Sequence, residues 1–217
     1  IPFDLEYLNK ITKGGVPKKS LNIILAGTGV GKSLAMCHMA AANLLDGKNV
    51  LYITLEMAEE KIAERIDAKL VIKEYPTAAA NVGQFRHLIN ELKLKKQFKP
   101  DIIYIDYLNI CASSRIKMGG SVNTYTYIKS IAEELRGLSV EQNLPIWSAT
   151  QTTRSGFSNS DVGLEDTSES FGLPATADFM LAIISTEELN NLNQVLVKQL
   201  KNRYGDPNAH KRFVLGI

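Results

Sequence analysis

Apolar residues along the chain fall into two kinds of run, which differ in length and in period. Short, nearly continuous runs predict strands that are buried on both faces of a sheet. They cover residues 21–25, 49–55, 101–106, 144–150 and 178–185. Longer runs predict helices at 34–45, 58–71, 82–98 and 122–142, after a short amphipathic helix within 1–20. Strands that alternate with such helices predict an α/β fold with a mostly parallel, twisted sheet flanked by helices.

The last part of the chain departs from this alternation. Residues 195–202 and 211–216 are two apolar runs on either side of the turn-forming segment 204–208, and residues 190–193 predict another turn. We therefore expect a late hairpin that adds antiparallel strands to the sheet. The polar segments 109–120 and 152–170 predict loops. A loop as long as the second one is typical of a functional segment.

Composition limits the class of protein but identifies no partner. The 217 residues include 45% hydrophobic residues, enough for a substantial core, and the net charge of +2 predicts no globally basic surface. Two cysteines are too few for a disulfide framework and favour a reduced, cytoplasmic protein. The sequence has neither a membrane-spanning run nor a signal peptide, so we expect no membrane partner. Because the chain begins at Ile1, we expect a domain trimmed from a longer protein.

A glycine-rich segment after the first strand has the strongest chemical signal. It consists of Ala26, Gly27, Thr28, Gly29, Val30, Gly31, Lys32 and Ser33. Between a strand and a helix, this spacing predicts a phosphate-binding loop, in which backbone N–H groups and the helix N-terminus face the phosphates. We expect Lys32 to contact the β- and γ-phosphates of ATP or another nucleoside triphosphate, and Ser33 to hold Mg²⁺. Ala26 replaces the first glycine of the pattern, a mild departure because three glycines remain for the turn.

Two carboxylates end other predicted strands. Asp106 follows the apolar run 102–105, where phosphate-loop ATPases have a carboxylate in the Mg²⁺ shell. The alternative for Asp106 is a residue that caps the following turn. Glu56 ends the second strand, where a carboxylate can orient the water that attacks the γ-phosphate and accept its proton. The alternative for Glu56 is an acidic residue in the first turn of a helix.

Three further polar residues complete the candidate catalytic set. Gln151 ends the fourth predicted strand, from which a neutral amide can contact the γ-phosphate; the alternative is a polar residue at the start of a loop. Arg203 and Lys201 lie in the late hairpin. An arginine can complete a phosphate site in its own subunit or in a neighbour, and the alternative is an ordinary surface arginine.

Other chemistries fit the sequence poorly. The three histidines have no zinc-site spacing, and we expect His38, inside an apolar helix, to be a packed residue. The sequence contains neither a G-x-S-x-G elbow nor a dinucleotide fingerprint. A small-molecule kinase would be expected to have an arginine-rich lid, but the segment 152–170 contains only Arg154.

The ordered set of segments resembles the RecA-like ATPase domain of hexameric replicative DNA helicases of the DnaB type, and among them the helicases of T-even-like phages. The resemblance covers nearly the whole chain. It rests on the glycine loop, L-E-M around Glu56, D-Y-L from Asp106, A-T-Q-T-T-R around Gln151, the segment 169–178 and K-N-R from Lys201. One departure is Ser168, where many bacterial members have an arginine before the second DNA-facing loop.

The resemblance implies a P-loop NTPase core of the RecA type over residues 1–217. It also implies that the chain lacks the N-terminal domain that these helicases use for ring assembly and primase contact. The implied assembly is a homo-hexamer that hydrolyses ATP with Mg²⁺, translocates on single-stranded DNA and unwinds duplex in the cytoplasm, the host's if a phage encodes it. Primase and a helicase loader are the implied partners of the full-length protein. A RecA-family recombinase or repair ATPase, which forms filaments on DNA, is the alternative.

The resemblance also divides the catalytic residues between subunits. Lys32, Ser33, Asp106 and Glu56 would come from one subunit, and Lys201 and Arg203 from the next. The loops 109–120 and 152–170 would face the channel and bind the DNA backbone. Gln151 would couple loss of the γ-phosphate to movement of the second loop.

Overall fold

A computed structural model of the chain describes residues 1–65, 70–117, 122–152, 162–167 and 172–216. The described residues form one eight-stranded sheet in the order β3-β2-β4-β5-β1-β6-β7-β8. The strands are β1 (Leu21–Ala26), β2 (Val50–Thr54), β3 (Val71–Glu74), β4 (Ile102–Asp106), β5 (Ile146–Gln151), β6 (Phe179–Ile184), β7 (Gln194–Asn202) and β8 (Arg212–Gly216). The helices are α1 (Glu6–Thr12), α2 (Lys32–Leu45), α3 (Glu59–Ala63), α4 (Val82–Lys96), α5 (Thr124–Gln142), α6 (Gly172–Thr176) and α7 (Glu187–Asn191). Short 3-10 helices cover Leu108–Ile110 and Leu164–Asp166.

The sheet has the predicted mixture of parallel and antiparallel pairs. Strands β1 to β6 pair in parallel. The last two pairs, β6 with β7 and β7 with β8, are antiparallel, which confirms the late hairpin. The carboxyl ends of six parallel strands therefore lie along the same end of the sheet. Open α/β sheets bind their ligands at this end.

Side chains on both faces of the sheet are buried, which explains the continuous apolar runs of the central strands. One face packs against α4 and α5 through a core that includes Ile23, Phe85 and Leu135. The other face packs against α1 and α2, and its core contains Trp147, which is 1% exposed. Each of the strands β1, β2 and β4 is buried along its whole length, as expected for parallel strands covered on both sides.

The predicted helix 58–71 is confirmed only over its first part within the described residues. Only Glu59–Ala63 is helical, residues 66–69 lie outside the described part of the chain, and Val71–Glu74 forms an edge strand. Val71 pairs with Leu51 of β2. Val71 and Ile72 are β-branched, which favours strands, and they pair with the otherwise unpaired side of β2. This tertiary pairing outweighs the helical pattern of the sequence.

Two smaller expectations also need correction. The predicted turn 190–193 overlaps the end of a helix, α7, in which the Leu189 N–H donates a hydrogen bond to the Thr186 hydroxyl at 3.3 Å. A threonine followed by two glutamates is an N-terminal helix signal that could have predicted it. His38 is not packed in the core; it is exposed on α2, and its Nε2 lies 2.7 Å from a carboxylate oxygen of Asp4.

Candidate functional site

The glycine loop lies between β1 and α2, as the sequence predicts. Gly29 and Gly31 have φ angles of +76° and +109°, a conformation that favours glycine. Gly31 is the N-cap of α2, and among the described residues no side chain caps this helix. The first N–H groups of α2 and the positive end of its dipole therefore face the loop, an arrangement that binds phosphate.

Lys32 is folded over the glycine loop. Its Nζ donates a hydrogen bond to the Gly27 carbonyl at 3.1 Å and lies 5.9 Å from the centre of the Tyr107 ring. Burial lowers the pKa of Lys32, while the carboxylates of Glu56 and Asp106 oppose this change. The ammonium group is thus held at the phosphate site by groups that a phosphate can replace.

Asp106 is fully buried at the carboxyl end of β4. One carboxylate oxygen, Oδ2, accepts a hydrogen bond from the Tyr52 hydroxyl at 3.1 Å, whereas Oδ1 has no partner among the described residues. Burial raises the pKa of Asp106, and the Ser33 and Tyr52 hydroxyls and then Lys32 oppose part of this rise. A buried oxygen without a partner is costly, and Asp106 and the nearby Ser33 hydroxyl are the groups here that could hold a metal ion.

Glu56 follows β2 and is exposed to solvent. The turn that presents it is fixed by Thr54, whose hydroxyl donates to the Met57 carbonyl at 2.7 Å and accepts from the Met57 N–H at 3.1 Å. Thr54 lies beside Asp106 in the register of β2 and β4. The N–H of Leu55, the residue before Glu56, donates to the Asp106 carbonyl at 2.9 Å, so Glu56 begins its turn next to the end of β4.

Gln151 ends β5 beside Ala26, the last residue of β1. Its Nε2 donates a hydrogen bond to the Tyr107 hydroxyl at 3.0 Å. Tyr107 therefore contacts both the amide of Gln151 and, through its ring, the ammonium of Lys32. Sequence reasoning missed Tyr107 and Tyr52, although the position of Tyr107 directly after a strand-end aspartate was a usable signal.

Lys201 and Arg203 lie at the amino ends of the parallel strands, opposite the end that carries the glycine loop. Because β7 runs antiparallel to β6, its last residue, Asn202, pairs with Phe179 at the amino end of β6. The glycine loop follows the opposite end of β1, a six-residue strand, which separates the two ends by about 16 Å. The structure thus brings together the glycine loop, Glu56, Asp106 and Gln151, and it leaves Lys201 and Arg203 apart from them.

The first predicted channel loop is anchored to α5. Glu134, 6% exposed, accepts hydrogen bonds from the Ser113 hydroxyl at 2.5 Å, from the Ser114 N–H at 2.8 Å and from the Ser114 hydroxyl. Residues 118–121 of this loop lie outside the described residues. Most of the second loop does so as well, including Arg154, Ser168 and the pair 169–170.

Comparison with known proteins identifies the family to which the chain belongs. A family model described as AAA domain matches residues 2–112, about half of the chain, and this range includes the glycine loop, Glu56 and Asp106. The chain belongs to the AAA domain family. A nucleotide is the ligand that an AAA P-loop domain binds, so the glycine loop of this AAA domain is a nucleotide-binding site.

The chain is also similar to replicative helicases. The chain is 47% identical over 251 aligned positions to the DnaB-like replicative helicase of Enterobacteria phage T4, covering 100% of this chain and 53% of the helicase. The chain thus spans about half the length of that relative. The family and this identity together confirm the resemblance: the chain is similar to the ATPase domain of DnaB-like replicative helicases.

Two further similarities bear on fold and on alternatives. A solved DnaB-like replicative helicase, described with its interactions with primase, matches with a TM-score of 0.79 at 18% identity, over 99% of this chain and 60% of that one. This likeness confirms the RecA-like fold of the AAA domain. The DNA repair protein RadA of Rickettsia conorii is 26% identical over 156 residues, covering 72% of this chain and 34% of that protein.

The helices of the domain also bear on a membrane role. Within the described residues, every helix is too short or too polar to cross a bilayer.

Proposed function

We propose that this chain is the motor domain of a ring-forming replicative DNA helicase, which hydrolyses ATP between neighbouring subunits to move along single-stranded DNA and unwind duplex. The observation that carries the proposal is the separation of the two half-sites. The glycine loop, Glu56, Asp106 and Gln151 occupy one edge of the sheet, whereas Lys201 and Arg203 occupy the other. A site that needs both halves requires two subunits, and a closed ring is the simplest assembly that supplies every subunit with a neighbour.

Each residue of the first half has a role that its position supports. The loop from Ala26 to Gly31, with Lys32, holds the phosphates, and Glu56 accepts the proton of the attacking water while the bond between the γ-phosphorus and its bridging oxygen breaks. Ser33 and Asp106 are the proposed ligands of Mg²⁺, because a hydroxyl and a buried carboxylate oxygen without a partner are hard oxygen donors that this ion prefers. When bound, Mg²⁺ neutralises charge on the β- and γ-oxygens.

The second half-site acts on the neighbour. Lys201 and Arg203 stabilise the charge that develops on the γ-phosphate of the adjacent subunit, in the manner of an arginine finger supplied in trans. The side chain of Arg203 is 46% exposed, so it is accessible to a neighbouring chain. Gln151, now hydrogen-bonded to Tyr107, contacts the γ-phosphate in the loaded state and transmits its loss to the second loop.

The partners follow from the proposed motor. Single-stranded DNA binds to the loops 109–120 and 152–170 through its backbone, so that binding is sensitive to salt and largely independent of sequence. A homo-hexamer, with primase and a helicase loader as partners of the full-length protein in the cytoplasm, completes the proposal. The solved relative that is described with its interactions with primase supports the primase contact.

A filament-forming recombinase or repair ATPase is the second candidate, favoured by the similarity to the RadA protein. It would use the same glycine loop and strand-end carboxylates, so these residues do not distinguish the two. The similarity to the phage helicase is higher and covers the whole chain, including Lys201 and Arg203. The assembly state separates the candidates, because a closed ring has a fixed number of subunits and a filament does not.

The test is the ATPase rate of the full-length protein with and without single-stranded DNA, together with its assembly state by light scattering. A closed hexamer whose ATPase rate rises severalfold on single-stranded DNA supports the helicase. A DNA-stimulated open filament supports the repair ATPase. A monomer with DNA-independent activity contradicts both.

A further inference from the structure

Asp178 lies directly before β6, at the edge of the sheet opposite the glycine loop. Its side chain is 6% exposed. Its Oδ1 accepts a hydrogen bond from Nη1 of Arg203 at 2.7 Å, and its Oδ2 accepts one from the Leu21 N–H at 3.0 Å. The Asp178 N–H donates in turn to the Leu21 carbonyl at 2.8 Å. The carboxylate is thus fixed to the central strand of the sheet while it holds Arg203.

A second arginine shares this carboxylate. Arg136 of α5 donates from Nε to Oδ2 of Asp178 at 3.1 Å and from Nη2 to Oδ1 at 2.9 Å. Burial raises the pKa of Asp178, but the hydrogen bonds from Arg136, Leu21 and Arg203 outweigh it and keep the pKa below its ordinary value. Asp178 therefore stays charged at neutral pH, and its position is set from two sides.

Lys201 is held by a neighbouring element. Its Nζ donates to the carbonyl oxygens of Pro174 at 2.5 Å and Ala175 at 3.1 Å, both in α6. Nη2 of Arg203 also donates to the Ala175 carbonyl, at 3.2 Å. An arginine has five N–H donors, and these contacts use two of them within the described residues. Both cations are therefore held by contacts within the subunit, and Arg203 has further N–H donors beyond those used in these contacts.

We propose that Asp178 is a positioning residue, whose carboxylate directs the guanidinium of Arg203 outward to the γ-phosphate of the neighbouring subunit. The inference rests on the proposed function, since it requires Arg203 to act in trans. The physical reason is preorganisation. A flexible arginine on a surface must lose its rotamer freedom when the transition state forms, whereas a guanidinium already held by a buried carboxylate has lost it on folding.

The first test compares variants of the full-length protein. Asp178→Asn removes the charge at nearly constant size and is expected to lower kcat about 10- to 100-fold with KM for ATP almost unchanged, as for other groups that orient a catalytic residue. Arg86→Gln removes an exposed arginine that pairs with Glu141 outside this cluster and is expected to keep kcat within about threefold. An equal loss of kcat in both variants would show an unspecific loss of stability and would overturn the inference.

A second variant covers the case in which Asp178→Asn does not fold. Asp178→Glu keeps the charge for Arg136 but shifts the carboxylate by about 1 Å, a displacement that can cost up to about 100-fold in rate. We expect at least a tenfold loss of kcat at an unchanged melting temperature. Wild-type kcat in Asp178→Glu would contradict a positioning role.

Mixed rings separate this inference from the proposed function. Lys32→Ala inactivates a subunit's own site but leaves its Asp178 and Arg203 to serve a neighbour. Mixing it with Arg203→Ala, and separately with Asp178→Asn, should in both cases restore ATPase activity above that of either parent. If only the Arg203→Ala mixture recovers, the inference fails and the proposed function stands. If neither recovers, the trans-acting role itself fails.

Discussion

Gln151 donates a hydrogen bond from its side-chain amide to the hydroxyl of Tyr107 at 3.0 Å, and the ring of the same tyrosine lies 5.9 Å from Nζ of Lys32. One side chain thus contacts the proposed γ-phosphate sensor and the lysine of the glycine loop. In our account, ATP must draw Gln151 away from Tyr107 before the amide can contact the γ-phosphate. The Tyr107 hydroxyl therefore competes with the nucleotide.

This competition predicts that Tyr107→Phe tightens ATP binding. Loss of one hydrogen bond of about 0.5–1 kcal/mol should lower the Kd about two- to fivefold. Titration with a fluorescent ATP analogue measures the change. Tyr7→Phe, which removes a hydroxyl that contacts His210 on the surface, is the matched control and should not change the Kd. Weaker binding in Tyr107→Phe would instead mean that the hydroxyl contacts the nucleotide itself.

The proton-accepting role of Glu56 predicts a clear split between binding and turnover. Glu56→Gln keeps the size of the side chain but removes its basicity, so we expect kcat to fall about 100- to 10,000-fold while ATP binding is retained. Steady-state ATPase assays and equilibrium binding measure the two effects. Glu60→Gln, at a neighbouring exposed position on α3, should leave kcat unchanged. Normal turnover in Glu56→Gln would remove Glu56 from this role.

The buried charge of Asp106 is expected to lower the stability of the fold although hydrolysis requires it. Burial raises its pKa above the ordinary 3.8, so the folded state binds this proton more tightly than the unfolded state. The cost of the charge is therefore absent below about pH 3.8 and grows as pH rises through the folded-state pKa. Asp106→Asn should raise the free energy of unfolding by about 1 kcal/mol at neutral pH and abolish hydrolysis.

Thermal unfolding over a range of pH checks this prediction. The stability gain of Asp106→Asn should shrink towards zero as the pH falls below 4. Mg²⁺ with ATP should stabilise the wild type and not the variant. Asp46→Asn, at an exposed position beside Lys48, should change neither property. A gain that is constant with pH would contradict the assignment of the cost to the buried charge.

The anchoring of the first channel loop predicts an effect of Glu134 on DNA binding. Burial raises the pKa of Glu134, but the hydrogen bonds from Ser113, Ser114 and Arg115 outweigh it and hold the pKa below 4.5. The charged form therefore stabilises the fold above about pH 4.5, and this contribution is lost as pH falls through the folded-state pKa. Glu134→Gln should cost about 1–3 kcal/mol at neutral pH and weaken binding of single-stranded DNA.

Urea unfolding and fluorescence anisotropy of a labelled oligonucleotide measure these two effects. Glu133→Gln is the matched control, because Glu133 is 41% exposed and contacts Arg115 and Lys129 only at the surface. Its effect on stability should stay within about 0.5 kcal/mol. Unchanged DNA affinity in Glu134→Gln would separate this loop from the DNA site.

The parts of the fold that follow from local pattern could be predicted from the sequence. The runs around Leu21 and Ile102 are buried on both faces, so their apolar character alone identifies them as central strands. The edge strand Val71–Glu74 could not be found in this way, because it is half exposed and depends on the open edge of β2. The order of the strands in the sheet could not be predicted from the sequence either, because it depends on pairing between distant segments.

The candidate site likewise contains residues that a local sequence pattern predicts and contacts that no local pattern predicts. The glycine loop has a motif of its own, and Glu56, Asp106 and Gln151 follow strands, so their common edge follows from the parallel sheet. Their catalytic roles stay predictions. The contacts of Tyr107 with Gln151 and of Asp178 with Arg203 join residues 44 and 25 positions apart. Such pairs have no local pattern, and only the folded chain identifies them.

The most direct measurement of the central claim is strand displacement on a forked DNA duplex by the full-length protein, with wild type, Arg203→Ala and Lys211→Ala compared at equal ATP. Lys211 is an exposed cation near the same hairpin and controls for loss of charge. We expect ATP-dependent unwinding by wild type and Lys211→Ala. We expect a loss of about 1,000-fold or more in Arg203→Ala, which still assembles and binds ATP. Unwinding by Arg203→Ala at the wild-type rate would contradict it.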